Sequence, residues 1–204
     1  MEQVTLWTGG RRKLLKDPDF GRWVAHVGAI RVPRATDEPF FYLARAIIYQ
    51  QLAGAAARTI HGRFVAALKG EVTPSKLLRV REATLRKAGL SAAKATAVRD
   101  LAAKVRNGEV EVHDLEEQSD EEIVHRLTTV KGIGPWTAQM YLMFRLHRPD
   151  VWPVLDLGVR SGLTKILRLE SAPGPKEMDP LGDRYRPWRS AAAFYCWRAL
   201  ESGL

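Results

Sequence analysis

The run Thr129-Val130-Lys131-Gly132-Ile133-Gly134-Pro135-Trp136-Thr137-Ala138 decides how this chain is read. Two glycines two apart, followed by proline, mark a tight turn that ends one helix and opens another. Glycine tolerates positive φ, and proline favours the first helical position. Without a Cβ in the way, main-chain N–H groups can approach a ligand, and the new helix N-terminus adds partial positive charge behind them. Together they form an anion site suited to a phosphate. With Lys131 in the turn, the expected ligand is the DNA backbone, gripped at Lys131, Gly132, Ile133, Gly134 and Thr137 without reading sequence. A turn of this kind with no ligand is an ordinary helix–helix connection. Even with DNA, it fits ligases, polymerases, recombination factors and repair enzymes alike.

Outward from the hairpin, the chain reads as helices separated by turn chemistry. Ser119-Asp120-Glu121-Glu122 is a capping box that opens a helix through Leu127, and Pro135 opens the next, through Leu146. Phe40 to Leu52 is apolar nearly all round apart from Arg45, which predicts a buried central helix. After Ala53-Gly54 the pattern resumes from Ala55 to Leu68. Thr73-Pro74 is an N-cap followed by a first-turn proline, and Ser91 to Asn107 carries an apolar stripe. Gly89 and Gly108 sit where helix C-terminal glycines belong. Asp156 would cap a helix from Leu157 to Leu167, and Pro187 would open a last one through Leu200. Val110 to Leu115 is the one strand-like alternation, too short to build a sheet, and the proline-rich stretch Ser171 to Pro187 reads as a long loop. The pattern predicts an all-α fold of eight to ten helices.

Composition narrows the function classes. Over 204 residues, 46% hydrophobic and 27% charged content describes a globular chain long enough to bury a core. No apolar run reaches the length of a spanning helix, and Met1 to Lys16 lacks the apolar centre of a signal peptide, so no membrane association or secretion is expected. The expected location is the cytoplasm, at the nucleoid, or the nucleus in a eukaryotic host. A single cysteine, Cys196, excludes an internal disulfide and a cysteine-ligated zinc or iron–sulfur site. The five histidines show no metal spacing.

The net charge of +9 favours a polyanionic partner. Basic residues outnumber acidic ones 11 to 5 in residues 1–70 and 11 to 7 in 131–204, but are balanced at 10 to 11 between them, so the excess sits at the two ends.

Four blocks in order carry a resemblance: Ile47-Ile48-Tyr49-Gln50-Gln51-Leu52, the hairpin Lys131 to Ala138, Val151 to Gly158, and Arg186-Pro187-Trp188-Arg189-Ser190. With them the chain resembles the helix–hairpin–helix superfamily of DNA glycosylases, in the alkylation-repair branch of 3-methyladenine DNA glycosylase II. The resemblance covers most of the chain from about residue 38 and lacks the amino-terminal β-domain of larger bacterial members. It implies a compact single unit over residues 1–204, formed as a two-lobed helical bundle with its hairpin motif at about 120–147 and the active site in the cleft between the lobes.

The resemblance also implies residue roles. Asp156, 20 residues beyond Trp136, aligns with the catalytic aspartate; a helix N-terminus favours the anionic form that stabilises an oxocarbenium-like sugar and orients water. Trp136 and Trp188 match positions lining the base pocket, where an indole face attracts a cationic alkylated purine. Met140 stands where some members have a pocket tyrosine, so stacking there is lost. Gln51 and Leu52 occupy the wedge position that fills the gap left by a flipped base.

Trp136 also stands where strand-cutting members carry a nucleophilic lysine. This implies a monofunctional enzyme that hydrolyses the N-glycosidic bond of 3-methyladenine and 7-methylguanine in duplex DNA, as a monomer and with no required cofactor. Main-chain carbonyls of Thr128, Val130 and Ile133 align with those that hold a sodium or potassium ion in relatives. The competing expectations are a non-catalytic hairpin DNA-binding protein, in which Asp156 only caps a helix, and a glycosylase for oxidised or deaminated bases.

Overall fold

The computed structural model describes residues 2–115 and 117–203. Among them the elements run β1 (Gln3–Thr5), α1 (Thr8–Leu15), α2 (Gly21–Val27), β2 (Arg31–Pro33), α3 (Pro39–Tyr49), α4 (Gly54–Ala67), α5 (Pro74–Arg79), α6 (Glu82–Lys87), α7 (Ala92–Arg106), α8 (Asp120–Thr128), α9 (Pro135–Phe144), α10 (Leu157–Leu167), α11 (Pro175–Asp183) and α12 (Arg189–Glu201). The fold is all-α, with a two-stranded antiparallel ribbon as its one addition among these residues. The chain divides into two compact units. One joins the residues up to Ala35 with those from Leu142 onward; the other runs from Thr36 to Tyr141.

The unit from Thr36 to Tyr141 is built around α3. Leu43, Ala44, Ile47 and Ile48 are fully buried there, and α3 packs on α4 and α7, which contribute Ala57, Phe64, Ala95, Val98 and Leu101. Each such side chain contributes about 1.5–3 kcal/mol when fully removed from water. Local chemistry sets the helix ends. Thr73 and Ser91 accept N–H bonds from Lys76 and Lys94, and Ser119 and Glu122 form the reciprocal capping box. Gly89 and Gly108 end their helices at φ of +104° and +75°, which glycine alone adopts without strain.

In the other unit, α10 and α12 lie against each other so closely that a Cβ on Gly162 would fall 2.0 Å from the Cys196 carbonyl oxygen. The helix α1 reaches α12 through Gly10, where a Cβ would sit 2.8 Å from that of Ala191. Phe20, Trp23, Leu163, Tyr195 and Cys196 fill the core between these elements.

Two expectations are corrected, the loop at Ser171 to Pro187 and the number of helices. The stretch Ser171 to Pro187 is not a continuous loop, because Pro175 takes the first helical position, Glu177 reaches back to the Gly174 N–H at 2.5 Å, and α11 results. As expected, residues 110–115 join no sheet among the described residues; Val110, Val112 and Leu115 are buried, and Glu111, His113 and Asp114 are exposed. The segment plugs the core with alternate side chains instead. The true strands, β1 and β2, pair Val4 with Val32, 28 positions apart. The twelve helices among the described residues also exceed the eight to ten expected, because α1 and α2 precede the segments that periodicity marked and α11 lies in the expected loop.

Candidate DNA-binding hairpin and catalytic carboxylate

Between α8 and α9 the chain makes the expected tight turn, with Gly132 at φ +79°. Its amides divide by direction. The Ile133 N–H turns inward to the Val130 carbonyl (3.1 Å), and the Lys131 N–H donates to Asp100 Oδ2 on α7 (2.8 Å). Gly132 and Gly134 are exposed, and their N–H groups meet no intramolecular acceptor among the described residues. A phosphate is therefore offered the amides of Gly132 and Gly134 and the start of α9, while Lys131 can contribute only its ammonium group. The Ile133 side chain is buried, and so is Thr137, whose hydroxyl accepts a bond from Gln50 Nε2 at 3.2 Å. The Ile133 N–H is thus occupied within the turn, while Thr137 lies in the first turn of α9 with its side chain turned to Gln50.

Gln50 is the residue that sequence reasoning missed here. Its amide also donates to the Gly132 carbonyl at 2.9 Å, tying the end of α3 to the turn. The end of α3 is in turn held by Lys94, whose ammonium donates to the carbonyls of Ile48 (2.8 Å) and Gln50 (2.7 Å). Partial burial lowers the Lys94 pKa, while these carbonyls satisfy the charge. The next residue, Gln51, is exposed in the left-handed region at φ +53°, outside the helix, with the half-buried Leu52 following it.

A cavity of about 540 Å³ opens at this junction, lined by Tyr49, Gln50, Gln51, Gly132, Gly134, Trp136, Thr137 and Met140, with Ala46 at its back. The structure thus brings together the expected wedge residue Gln51, two of the three expected pocket residues, Trp136 and Met140, and the hairpin glycines. Trp136 is 41% exposed and borders the cavity. Met140 withholds an aromatic ring from α9, but Tyr49 supplies one from α3. That ring is braced edge-on by His61 (5.8 Å), itself stacked on Phe41 (5.3 Å).

In the other unit, Asp156 is the N-cap of α10 and 9% exposed. Its Oδ1 accepts the Val159 N–H at 2.7 Å and the Trp197 indole N–H, from α12, at 2.9 Å. Leu155 and Leu157 on either side are 53% and 67% exposed, so the carboxylate sits between two apolar surface side chains. Burial pushes the neighbouring Cys196 thiol well up, with the Asp156 charge adding to the effect, so the one cysteine is an inert core group.

The segment leading to Asp156 is fixed by the fourth sequence block. Arg189 grips the Asp150 carboxylate through Nε (2.8 Å) and Nη2 (3.1 Å), Arg186 adds a bond at 2.8 Å, and Ser190 Oγ accepts the Val151 N–H at 2.9 Å. Trp152 Nε1 donates to the Met178 carbonyl at 2.8 Å from a position that Gly182 leaves open. Trp188 lies half-buried on α1, its ring within 2.6 Å of where a Gly9 Cβ would be. It belongs to the same unit as Asp156. No group of three or more His, Cys, Asp or Glu side chains could hold a metal ion among the described residues, and no described helix is long and apolar enough to cross a membrane.

Residues 44–186 match the model of the HhH-GPD superfamily base excision DNA repair protein. The chain belongs to the HhH-GPD superfamily. Among its relatives, DNA-3-methyladenine glycosylase 1 of Schizosaccharomyces pombe is 35% identical over 190 residues, which cover 91% of this chain and 83% of that protein. The DNA-3-methyladenine glycosylase of Saccharomyces cerevisiae is 33% identical over 76% of this chain and 54% of its own length. A solved structure of the S. pombe 3-methyladenine DNA glycosylase Mag1 in complex with abasic DNA superposes with a TM-score of 0.86 at 33% identity, covering 96% of this chain and 98% of that one. The family match begins at residue 44, while the alignments with the S. pombe relative reach before residue 38.

Proposed function

We propose that this HhH-GPD protein is a monofunctional DNA glycosylase that removes alkylated purines, of the 3-methyladenine and 7-methylguanine type, from duplex DNA in base excision repair. The observation that carries the reading is Asp156: a nearly buried carboxylate, held by two N–H donors, at the family's catalytic position in a chain whose relatives are named for this activity.

The chemistry asks little of a general acid. An N3- or N7-alkylated purine is cationic in DNA, so when the C1′–N bond breaks, the base takes the bonding electrons and leaves neutral. Positive charge then develops on the deoxyribose, where the Asp156 carboxylate stabilises it. Water adds at C1′ and gives up its proton, with the carboxylate as orienter or acceptor, which leaves an abasic site.

Substrate selection rests on the cavity. The Trp136 face attracts a flipped cationic base by about 0.5–2 kcal/mol, and Met140 and Tyr49 contribute to its walls. Gln51, with Leu52, fills the stack vacated by the base; its exposed, left-handed position at the end of α3 suits an inserted side chain. Lys131 and the Gly132 and Gly134 amides hold phosphate, and Trp188 supports the Asp156 unit as a candidate pocket wall. Because no lysine stands at the start of α9, no amine attack on the sugar and no strand cleavage are expected.

A sodium or potassium ion fits the hairpin. Thr128 ends α8, where carbonyls lack intrahelical partners, and Val130 and Ile133 complete an all-oxygen donor set. Such an ion would hold the turn's shape and add positive charge near a phosphate. The enzyme would act as a monomer, at the nucleoid or in a nucleus.

The test is incubation with methylated duplex DNA, assaying free 3-methyladenine and 7-methylguanine. Release by the wild type without strand cleavage supports the reading. Tight binding with no release from any alkylated substrate would leave a non-catalytic DNA-binding protein instead.

A further inference from the structure

We infer that Trp197 is a positioning residue for Asp156, holding the carboxylate in the orientation that base release requires. The inference rests on the proposed glycosylase reading and adds a residue that no sequence block contains.

Capping α10 needs one bond, and the Val159 N–H supplies it at 2.7 Å. The second donor comes from a different helix, 41 residues away, and lands on the same oxygen. Two donors converging on Oδ1 from different directions restrain rotation about the Cβ–Cγ bond more tightly than the cap bond does. A carboxylate that acts by electrostatics gains from such pre-set orientation, since nothing must reorganise as charge develops on the sugar.

The surroundings are arranged for this contact. A Cβ on Gly158 would lie 2.8 Å from Trp197 Cδ1 and 3.1 Å from Asp156 Oδ1, so a residue without a side chain is what lets the indole come this close. The Phe144 ring packs against the indole with centroids 5.8 Å apart and restrains its tilt. Trp197 is only half-buried, so its N–H would not need a protein acceptor merely to avoid an orphaned core donor. Its neighbours Tyr195 and Cys196 carry the core packing of α12.

The test separates the N–H group from the ring. Trp197→Phe removes the donor and keeps an aromatic side chain; replacement of Trp197 by benzothienylalanine keeps the bicyclic shape and puts sulfur in place of N–H. Three quantities are read: the single-turnover rate of 7-methylguanine release, the Kd for an abasic-site duplex, and Tm. The expected result for both variants is a rate lowered by about 10- to 100-fold, the worth of one bond to a charged group. Kd should stay within about twofold, and the benzothienyl protein should melt with the wild type. A benzothienyl variant with the wild-type rate overturns the positioning role, as does a rate that falls only together with affinity and Tm. Absence of base release by the wild type itself would instead overturn the glycosylase reading.

Discussion

The Gln50 side-chain amide donates to the Gly132 carbonyl at 2.9 Å, so the end of α3 and the turn of the hairpin are one assembly. The same amide reaches the Thr137 hydroxyl at 3.2 Å, which ties in the first turn of α9. Gln50→Ala leaves the turn unbraced at both points. Affinity for an abasic-site duplex, read by fluorescence anisotropy, should fall by about 2- to 10-fold, the worth of a net hydrogen bond or two. An unchanged Kd would show that the turn holds its shape alone.

Gly132 combines two constraints. Its φ of +79° is unfavourable for any side chain, and a Cβ there would stand 3.0 Å from that of Ala97. Gly132→Ala should cost about 1–2 kcal/mol from the backbone alone and weaken DNA binding more than Gln50→Ala does. Differential scanning calorimetry and anisotropy on one preparation check both effects.

Much of this was legible locally and little of it tertiarily. Ser119, Asp156, Thr73, Gly89 and Gly108 declared helix ends because a cap or a left-handed glycine acts within three or four residues. Gln50, Asp100 and Trp197 bond across 82, 31 and 41 positions, and nothing in their immediate sequence distinguishes them from ordinary helix residues. The ribbon of β1 and β2 was invisible for the same reason, with three-residue strands too short to show alternation. The helix α11 was missed because prolines were read as loop chemistry, although Pro175 sits at the one helical position that favours proline and Glu177 accepts the Gly174 N–H from the first turn. Tyr49 carried a signal that could have been used: an aromatic beside Gln50-Gln51 at the end of a buried helix.

The cavity makes a selectivity prediction. Trp136→Ala removes the exposed indole face and should slow release of cationic 7-methylguanine by about 2- to 30-fold, from the cation–π range. Release of a neutral base such as hypoxanthine, where it is measurable, should change less. Tyr49→Leu should act in the same direction. Equal losses on charged and neutral bases would mean that these rings serve shape rather than charge.

Helix packing predicts a sharp stability effect far from chemistry. Gly162→Ala would drive a methyl group to 2.0 Å from the Cys196 carbonyl oxygen, and backbone cannot yield as a side chain can. A loss of about 3 kcal/mol or more is expected, and a Tm drop on the order of 10 °C in a chain of this size. A Tm within two or three degrees of wild type contradicts the close α10–α12 approach.

His61 predicts a pH dependence. Its Nε2 is buried with no hydrogen-bond partner among the described residues, and burial, aided by the Arg45 charge, lowers its pKa below the ordinary 6.5. The unfolded chain therefore takes up a proton there before the folded one does. Stability from this group is present above about pH 6.5 and declines as pH falls towards the lower folded value. Urea midpoints at pH 7.5 and 5.5 should differ less in His61→Phe than in the wild type.

The most direct measurement of the central claim is single-turnover release of 7-methylguanine from duplex DNA by the wild type and by Asp156→Asn. The asparagine can still cap α10 through its side-chain oxygen, so fold and DNA affinity should persist while the negative charge beneath the sugar is lost. The expected result is release slowed by at least about 100-fold with little change in Kd, the scale of losing a major electrostatic stabiliser. Release by Asp156→Asn at the wild-type rate would contradict the account, leaving Asp156 as a helix cap and the chemistry elsewhere.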